Sequence, residues 1–494
     1  MYKKFKTKPM RHQVDCLNQF GRDRAFALLA EQGTGKSKIV IDNCADLWSS
    51  NDLNGVLIFA PNGVHYNWTL IQIKTHMPDW VRYKSAAWVA NTNKRDQAEI
   101  DALFDEKDSS VLRIFAMNIE SLQHKRSIEV AKRFASSCSR LMIVVDESST
   151  VKNPKAGRTK ELFKLKIYSE WRRILNGTPV ANGPFDAFSQ FNFLDERILG
   201  TSSYYAFKAE YAEILHDNHP LVKNVMLKHG IARAPQIVAT DNNGRPRYRN
   251  LDKLSALIAP HSFRVLKKDC LDLPEKIYKY VWFDMTNEQR KIYNKAEKEN
   301  RLALNGEETA FNKLVAQMKL MQITSGYFIH PDAEEPVRIK GPNPKLQLLR
   351  DRASAIVESG EKLIIWARFR VQISDIAAAL KEDGINFVEY HGGVNKADRI
   401  QAVESFERGD ATVFLGQQQA GGRGLTLIAA SNVFYFSNTY ALDDRQQSED
   451  RAHRIGQNKN VVYTDFCARD SIDFECIDVL HSKVGVSEAI LNAI

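Results

Sequence analysis

One short string limits the possible folds of this chain more than any other, AEQGTGKS at residues 30–37. The apolar run AFALLA at 25–30 precedes it and predicts a buried strand, and KIVIDNCADLW at 38–48 follows it with helical spacing. Strand, glycine-rich loop and helix is the arrangement in which backbone N–H groups bind phosphate. Ala30 replaces the first glycine of the general pattern, so a chance Gly-Lys-Ser loop is the alternative.

The residues of this loop predict a nucleotide site. Gly33 and Gly35, with Thr34 between them, allow backbone N–H groups to turn toward phosphate oxygens. Lys36 is placed to reach the terminal phosphates, and the Ser37 hydroxyl can bind Mg²⁺. We therefore expect ATP and Mg²⁺ to bind here.

A second string, LMIVVDESS at 141–149, is an apolar run that ends in two carboxylates. Such a run predicts a central parallel strand with Asp146 and Glu147 at its carboxyl end. Asp146 can hold Mg²⁺ through water, and Glu147 can orient and deprotonate the attacking water in phosphoryl transfer. The alternative is a solvated acidic turn after a core strand.

Further strings occur in a fixed order along the chain. They are RHQ at 11–13, VLIFAP at 56–61 followed by Asn67 and Trp68, AMNIESL at 116–122, KNP at 152–154, LNGTPVANGPFDAFSQFNFL at 175–194, SFRVLKKDCLDLPEK at 262–276, KLIIWARF at 362–369, YHGG at 390–393, QAGGRGLTL at 419–427 and QQSEDRAHRIGQ at 446–457. Taken together, these strings resemble the superfamily-two helicases, and within them the Swi/Snf-like double-stranded-DNA translocases of compact bacterial or phage type. One departure is Ser148-Ser149, where many relatives carry Ala-His or Gly-His.

The resemblance implies an α/β fold with two tandem RecA-like parallel-sheet motor domains, and the residues themselves add helical protrusions and a β-hairpin insertion to this fold. It implies that Gln13 reads adenine and that ATP binds in a cleft between the two domains. Arg451 and Arg454 would stabilise the transferring phosphoryl group when the cleft closes. Surface ion pairs with Glu449 or Asp450 are the alternative for these two arginines.

The resemblance also implies contacts with the DNA backbone. The candidate residues are Asn67, Thr178, Gly422 and Thr426.

The positions of the strings predict four segments. These are a first RecA-like ATP-binding domain at 1–195, a basic insertion at 196–265, a linker with a helical protrusion at 266–340, and a second RecA-like helicase domain at 341–494. Within the protrusion we expect helices at 285–304 and 310–324, with Leu314, Met318 and Met321 as packing residues.

The positive charge of the chain is concentrated in the insertion. Between residues 223 and 268 there are ten lysines and arginines and two acidic residues, whereas the whole chain has a net charge of +9. This is the pattern expected of a surface that binds a polyanion. Within it, 235–250 predicts a β-hairpin around an Asn-Gly turn, and Arg245, Arg247 and Arg249 alternate on the returning arm. The alternatives are a solvated charged loop and an insertion packed on the motor.

The composition of the chain bears on which other classes of protein it could belong to. No stretch approaches the roughly 20 apolar residues of a membrane span, and the first ten residues lack the apolar segment of a signal peptide. The six cysteines form no C-x-x-C pair, so we expect neither a zinc site nor a disulfide framework. We expect a monomer in the cytoplasm of a bacterium or phage-infected cell, associated with the nucleoid and with no membrane contact.

The function expected from these residues is an ATP-dependent DNA translocase or helicase. Its partners would be duplex or branched DNA and replication or recombination proteins. Its task would be fork or junction remodelling, with branch migration, in replication, recombination or repair. One alternative is a translocase that displaces proteins such as a stalled polymerase from DNA, and another is a non-catalytic nucleic-acid-binding scaffold.

Overall fold

The computed structural model describes residues 5–89, 94–241, 244–304, 310–329, 335–421 and 425–494. The chain divides into two compact units. The first contains residues 1–272 together with 485–494, and the second contains residues 273–484.

The first unit is built on a seven-stranded sheet with the order β3-β4-β2-β5-β6-β1-β7, in which every neighbouring pair is parallel. Its central strands are buried on both faces, which explains their continuous apolar sequences. The strands are β1 (Ala25–Ala30), β2 (Gly55–Ala60), β3 (Tyr83–Ala87), β4 (Leu112–Asn118), β5 (Leu141–Asp146), β6 (Ser169–Leu175) and β7 (Ser262–Val265).

Helices cover both faces of this sheet and pack against it through two apolar cores. The helices are α1 (Arg11–Phe20), α2 (Lys36–Ser49), α3 (Val64–Asn67), α4 (Ile73–His76), α5 (Lys94–Phe104), α6 (Lys125–Ser136), α7 (Gly157–Leu165), α8 (Phe185–Leu194), α9 (Tyr204–Tyr211), α10 (Pro220–His229), α11 (Leu251–Ile258) and α12 (Lys267–Cys270). A π-helical turn spans Trp68–Gln72, and short 3₁₀ turns span Ile119–Gln123, Ser148–Val151, Lys166–Tyr168 and Ala259–His261.

The second unit contains a six-stranded parallel sheet with the order β12-β13-β11-β14-β15-β8. Its strands are β8 (Lys276–Phe283), β11 (Lys362–Trp366), β12 (Phe387–Tyr390), β13 (Val413–Gly416), β14 (Ala430–Tyr435) and β15 (Val461–Ala468). A separate antiparallel pair joins β9 (Tyr327–Phe328) to β10 (Val337–Arg338).

The helices of the second unit enclose this sheet through two further apolar cores, and a third core lies under the protrusion. They are α13 (Asn287–Leu304), α14 (Ala310–Thr324), α15 (Pro344–Glu358), α16 (Arg370–Glu382), α17 (Lys396–Arg408), α18 (Gln418–Gly421), α19 (Leu442–Glu449) and α20 (Ile472–Leu491), whose last residues belong to the first unit.

The predicted fold class, two parallel-sheet α/β motor domains, is confirmed. The four predicted segment limits stay a prediction, but strands of the two sheets fall outside the motor segments. Strand β7 of the first sheet lies in the predicted insertion, and β8 of the second sheet lies in the predicted linker. Both are edge strands of their sheets.

The predicted helices of the protrusion are present as α13 and α14, but one predicted packing residue is wrong. Met321 is buried, whereas Leu314 is 40% exposed. Among the residues of α14 whose side chains are described, 314–324, full burial begins at Leu320, and helical spacing alone did not show this.

The predicted hairpin is present as antiparallel bridges. Thr240 pairs with Pro246, and the two arms are then held by the segment 212–214, through Ile214 to Val238 and through Ala212 to Tyr248. Asn242 and Asn243 of the predicted turn lie outside the described residues.

All six cysteines are free thiols, and five of them are buried. In the described part of the chain, no helix combines the length and apolar character needed to cross a membrane.

Candidate active site

The glycine-rich loop connects β1 to the amino end of α2. Gly33 and Gly35 have φ angles of +85° and +87°, which a residue with a side chain adopts only with strain. A Cβ at Gly35 would lie 2.2 Å from Gln13 Nε2, so the loop and the glutamine can approach only because this residue is glycine. Gly35 is also the N-cap residue of α2, a helix of 14 residues whose first backbone N–H groups have no partner within the helix.

The polar side chains of the loop lie against its own backbone. Lys36 Nζ donates to the Ala30 carbonyl (2.8 Å), so the ammonium group lies over the loop. The Thr34 hydroxyl donates to the Glu31 carbonyl (2.8 Å), and Thr34 is fully buried. Ser37 follows in the first turn of α2 and is half-buried. This arrangement of N–H groups, ammonium and hydroxyl is suited to binding a polyphosphate.

Gln13 on α1 packs directly on this loop. It is 3% exposed, its Nε2 donates to the Thr34 carbonyl (3.3 Å), and its Oε1 accepts from the Met10 backbone N–H (3.0 Å). His12 Nε2 lies 2.8 Å from the same Thr34 carbonyl. His12 lies within the RHQ string but was not among the predicted site residues.

The acidic pair lies at the carboxyl end of β5, as predicted. Because β1, β6 and β5 are adjacent and parallel, the loop after β1 and the pair after β5 lie at the same edge of the sheet. Asp146 accepts a hydrogen bond from Trp68 Nε1 on Oδ2 (3.0 Å) and one from the Glu147 backbone N–H on Oδ1 (3.1 Å). Glu147 has a φ of +50°, a left-handed conformation that is rare for a residue with a side chain and is often found at functional sites.

A buried hydrogen-bond network connects this acidic box to the segment 175–194. The Ser148 hydroxyl donates to Gln190 Oε1 (2.6 Å), and Asn176 Nδ2 donates to the same oxygen (3.3 Å). Asn176 Oδ1 in turn accepts from the Thr178 backbone N–H (3.0 Å). Thr178 is therefore joined to the acidic box through two side chains, while its DNA contact stays a prediction.

Ser37 and Asp146 are the predicted Mg²⁺ ligands, and their oxygen donors suit that ion. No cluster of three or more His, Cys, Asp or Glu side chains with metal-binding geometry occurs among the described residues. Mg²⁺ at nucleotide sites commonly takes one or two protein oxygens and completes its coordination with phosphate and water. The carboxylate of Asp146, held at both oxygens, fits that pattern.

The two late arginines lie in the second unit and share one acceptor. Arg451 Nη1 donates to the Leu425 carbonyl (3.2 Å), and Arg454 Nη1 donates to the same oxygen (2.7 Å). Burial lowers the pKa of Arg454, and the charge of Asp450 partly offsets this. Thr426 is the next residue after the shared acceptor and is half-buried. Gly422 lies outside the described residues.

The segment that carries these arginines is fixed by a buried ion cluster that the sequence analysis missed. Arg445 on α19 donates to Asp465 (2.6 and 3.0 Å) and to Glu449 (2.8 Å). Glu449 also accepts from Lys276 (3.1 Å), and Lys276 bonds Asp450 (3.3 Å). Glu449 and Asp450, which were the alternative surface partners of the late arginines, are thus part of this cluster.

The three hairpin arginines make contacts with other residues of the chain. Arg247 pairs with Glu213 (3.4 Å) while its side chain stays 51% exposed. Arg249 donates to the carbonyls of Ala209 and Glu210 at the carboxyl end of α9. The Arg245 backbone N–H bonds Asp241 Oδ1 (2.9 Å). Their contact with nucleic acid stays a prediction.

Comparison with known families identifies the family of the chain. The model of the SNF2-related domain matches residues 9–329, and the helicase conserved C-terminal domain matches residues 345–456. The chain belongs to the SNF2-related family. The resemblance inferred from the sequence strings is confirmed.

The chain spans less than half the length of two curated relatives that it matches. It is 21% identical over 492 residues to the chromatin remodeling factor mit1 of Schizosaccharomyces pombe, covering 94% of this chain and 31% of that protein. It is 24% identical over 470 residues to the "Uncharacterized ATP-dependent helicase MG018" of Mycoplasma genitalium, covering 94% of this chain and 40% of that protein. Among solved structures, the Sulfolobus solfataricus SWI2/SNF2 ATPase core in complex with dsDNA is 21% identical with a TM-score of 0.42, covering 99% of this chain and 94% of that one.

Proposed function

We propose that this protein hydrolyses ATP and uses the free energy to move along duplex DNA. The observation that carries the proposal is the common sheet edge at which the Gly33–Ser37 loop and the Asp146-Glu147 pair lie, in a chain that belongs to the SNF2-related family. A phosphate-binding loop beside an acidic pair supports phosphoryl transfer to water.

Each of the predicted site residues, in either unit, has a distinct part in the proposal. Backbone N–H groups of the loop and Lys36 bind the phosphates, and Glu147 orients the attacking water. Ser37 and Asp146 hold Mg²⁺, which neutralises charge on the phosphate oxygens when bound. Arg451 and Arg454 contribute positive charge that turnover requires.

The test is steady-state ATP hydrolysis with and without duplex DNA. Wild-type protein should hydrolyse ATP faster when DNA is present. Lys36→Ala or Glu147→Gln should eliminate turnover and leave DNA binding intact, whereas Lys160→Ala, an exposed lysine of α7, should behave as wild type. DNA binding by wild-type protein without hydrolysis would favour the non-catalytic scaffold.

For the task of the motor we propose remodelling of branched DNA. The support is the basic insertion, whose bridged hairpin carries the half-exposed Arg247 beside Arg245. Basic residues on a projecting element are suited to contacting phosphates at a junction.

The hairpin must be tested without disturbing its base. The Tyr248 hydroxyl donates to the Asn182 carbonyl (3.2 Å), and a Cβ at Gly183 would lie 2.6 Å from that hydroxyl. Deleting residues 239–248 would remove this contact with the segment 175–194, so charge removal is the cleaner change. The variant is therefore Arg245→Ala with Arg247→Ala, and Arg197→Ala, whose side chain is 91% exposed, is the control.

We expect the double variant to lose conversion of four-way junctions while it keeps DNA-stimulated ATP hydrolysis. Equal loss of both activities would mean that the hairpin is only structural. Displacement of a bound protein from linear duplex, without any junction conversion by wild-type protein, would favour the displacement function.

A further inference from the structure

The indole of Trp68 contacts the acidic box directly. Its Nε1 donates to Asp146 Oδ2 (3.0 Å), and the tryptophan is 1% exposed. The Glu147 backbone N–H donates to the other oxygen, Asp146 Oδ1 (3.1 Å). Each oxygen of the carboxylate thus has a directed donor, which fixes the rotation of the group.

Trp68 belongs to a short turn that has both buried and exposed residues. Trp68 begins the π-helical turn Trp68–Gln72, in which the Ile73 N–H donates to the Trp68 carbonyl. Single π turns are frequent at functional sites. The indole points inward from this turn, whereas Leu70 and Ile71 are 60% and 53% exposed.

Asn67, a predicted DNA contact, immediately precedes Trp68. The same short helical segment therefore carries both the predicted DNA contact and the donor to the acidic box.

We propose that Trp68 is a positioning residue, whose indole N–H fixes the orientation of Asp146 for Mg²⁺–nucleotide and links that orientation to the helical segment that carries Asn67. The inference rests on the proposed function. Hydrogen-bond partners behind a metal ligand set its orientation, and their loss typically lowers metal affinity about 10- to 100-fold.

The test is Trp68→Phe, which removes the N–H donor and keeps an aromatic ring. The matched control is Trp171→Phe, because Trp171 is 3% exposed and its Nε1 also donates one hydrogen bond of 3.0 Å, to the Asp52 carbonyl. Calorimetry measures ADP binding in EDTA and in Mg²⁺, and the ratio of the two affinities isolates the contribution of the metal. Benzothienylalanine at position 68 replaces the N–H with sulfur at nearly constant shape, so it gives the same measurement if the phenylalanine variant does not fold.

We expect the Trp68 variants to bind metal-free ADP as wild type does and to lose at least about tenfold of the Mg²⁺-dependent gain in affinity. The Trp171 variant should keep that gain. An unchanged gain in the Trp68 variants, or an equal loss in both positions, would overturn the inference. Absence of ATP hydrolysis in wild-type protein that still binds Mg²⁺–ADP would instead refute the proposed function alone.

Discussion

The buried carboxylate of Glu449 stabilises the second unit, and its contribution to the free energy of unfolding can be measured by substitution. Its Oε1 accepts from Arg445 Nε (2.8 Å), and its Oε2 accepts from Lys276 Nζ (3.1 Å) and from the Tyr278 hydroxyl (2.8 Å). The side chain is only 7% exposed. Glu449→Gln keeps the shape, removes the charge and presents an N–H₂ group to donors.

We expect this change to lower the free energy of unfolding of the second unit by about 3 kcal/mol, because breaking a buried ion pair from one side costs roughly 3–5 kcal/mol. The lower end of that range applies because Arg445 keeps both hydrogen bonds to Asp465. The helix α19 directly precedes Arg451 and Arg454, so ATP turnover should fall as well.

The loss of stability caused by Glu449→Gln should become smaller as the pH falls. Burial alone would raise the pKa of Glu449, but the charges of Lys276 and Arg445, with their hydrogen bonds, outweigh burial and hold it below its ordinary value. A depressed pKa gives stability that is present above the unfolded-state pKa and is lost as pH falls through the folded-state pKa. The difference between wild type and Glu449→Gln should therefore be constant near neutral pH and shrink below about pH 4.

Native-state hydrogen exchange of β14 and β15 reports opening of the second unit separately from the first. The control is Glu299→Gln on α13 of the same unit, since Glu299 pairs with Lys295 (3.9 Å) but its side chain is 55% exposed. That change should cost less than about 1 kcal/mol. A cost for Glu449→Gln no larger than the control, or one that persists unchanged in acid, would refute the reasoning.

Three further results are expected. Gly35→Ala should lower ADP affinity at least tenfold by calorimetry, since it adds strain at φ +87° and a clash 2.2 Å from Gln13 Nε2, whereas Gly200→Ala, with φ +66° and nothing within 4 Å of its Cβ, should leave affinity unchanged. Arg454→Ala should reduce kcat about 10³-fold with KM within a few-fold, and a small kcat effect in steady-state assays would remove it from turnover. Iodoacetamide at pH 8 should label Cys270 first, as mass spectrometry can show, because it is half-buried while the other five cysteines are buried.

Features encoded locally could be predicted from the sequence. The apolar runs of β1, β5, β11 and β14 are long enough to identify central strands, and Asp146 and Glu147 follow β5 directly. Parallel pairing then brings the loop and the acidic pair to the same edge, which needs no knowledge of side-chain contacts.

Features that depend on distant contacts could not be predicted. Trp68 and Asp146 are 78 residues apart, and only a π turn aims the indole at the carboxylate. The cluster around Arg445 combines residues from β8, α19 and β15, whose proximity follows from sheet order. The run KIYKYVWF of β8 is rich in residues that favour strands, but its place in the second sheet follows only from its pairing with β15.

The final helix, α20, determines how the first unit can be expressed as a separate fragment. Ile490 and Leu491 lie in the core of the first unit, the Leu491 carbonyl accepts from Arg264 Nη1 (2.8 Å), and Glu488 pairs with Arg264 (3.0 Å). A fragment of residues 1–272 would expose apolar surface that these side chains normally cover. Expression of that half should therefore require residues 485–494 to be grafted back through a linker or added as a separate peptide.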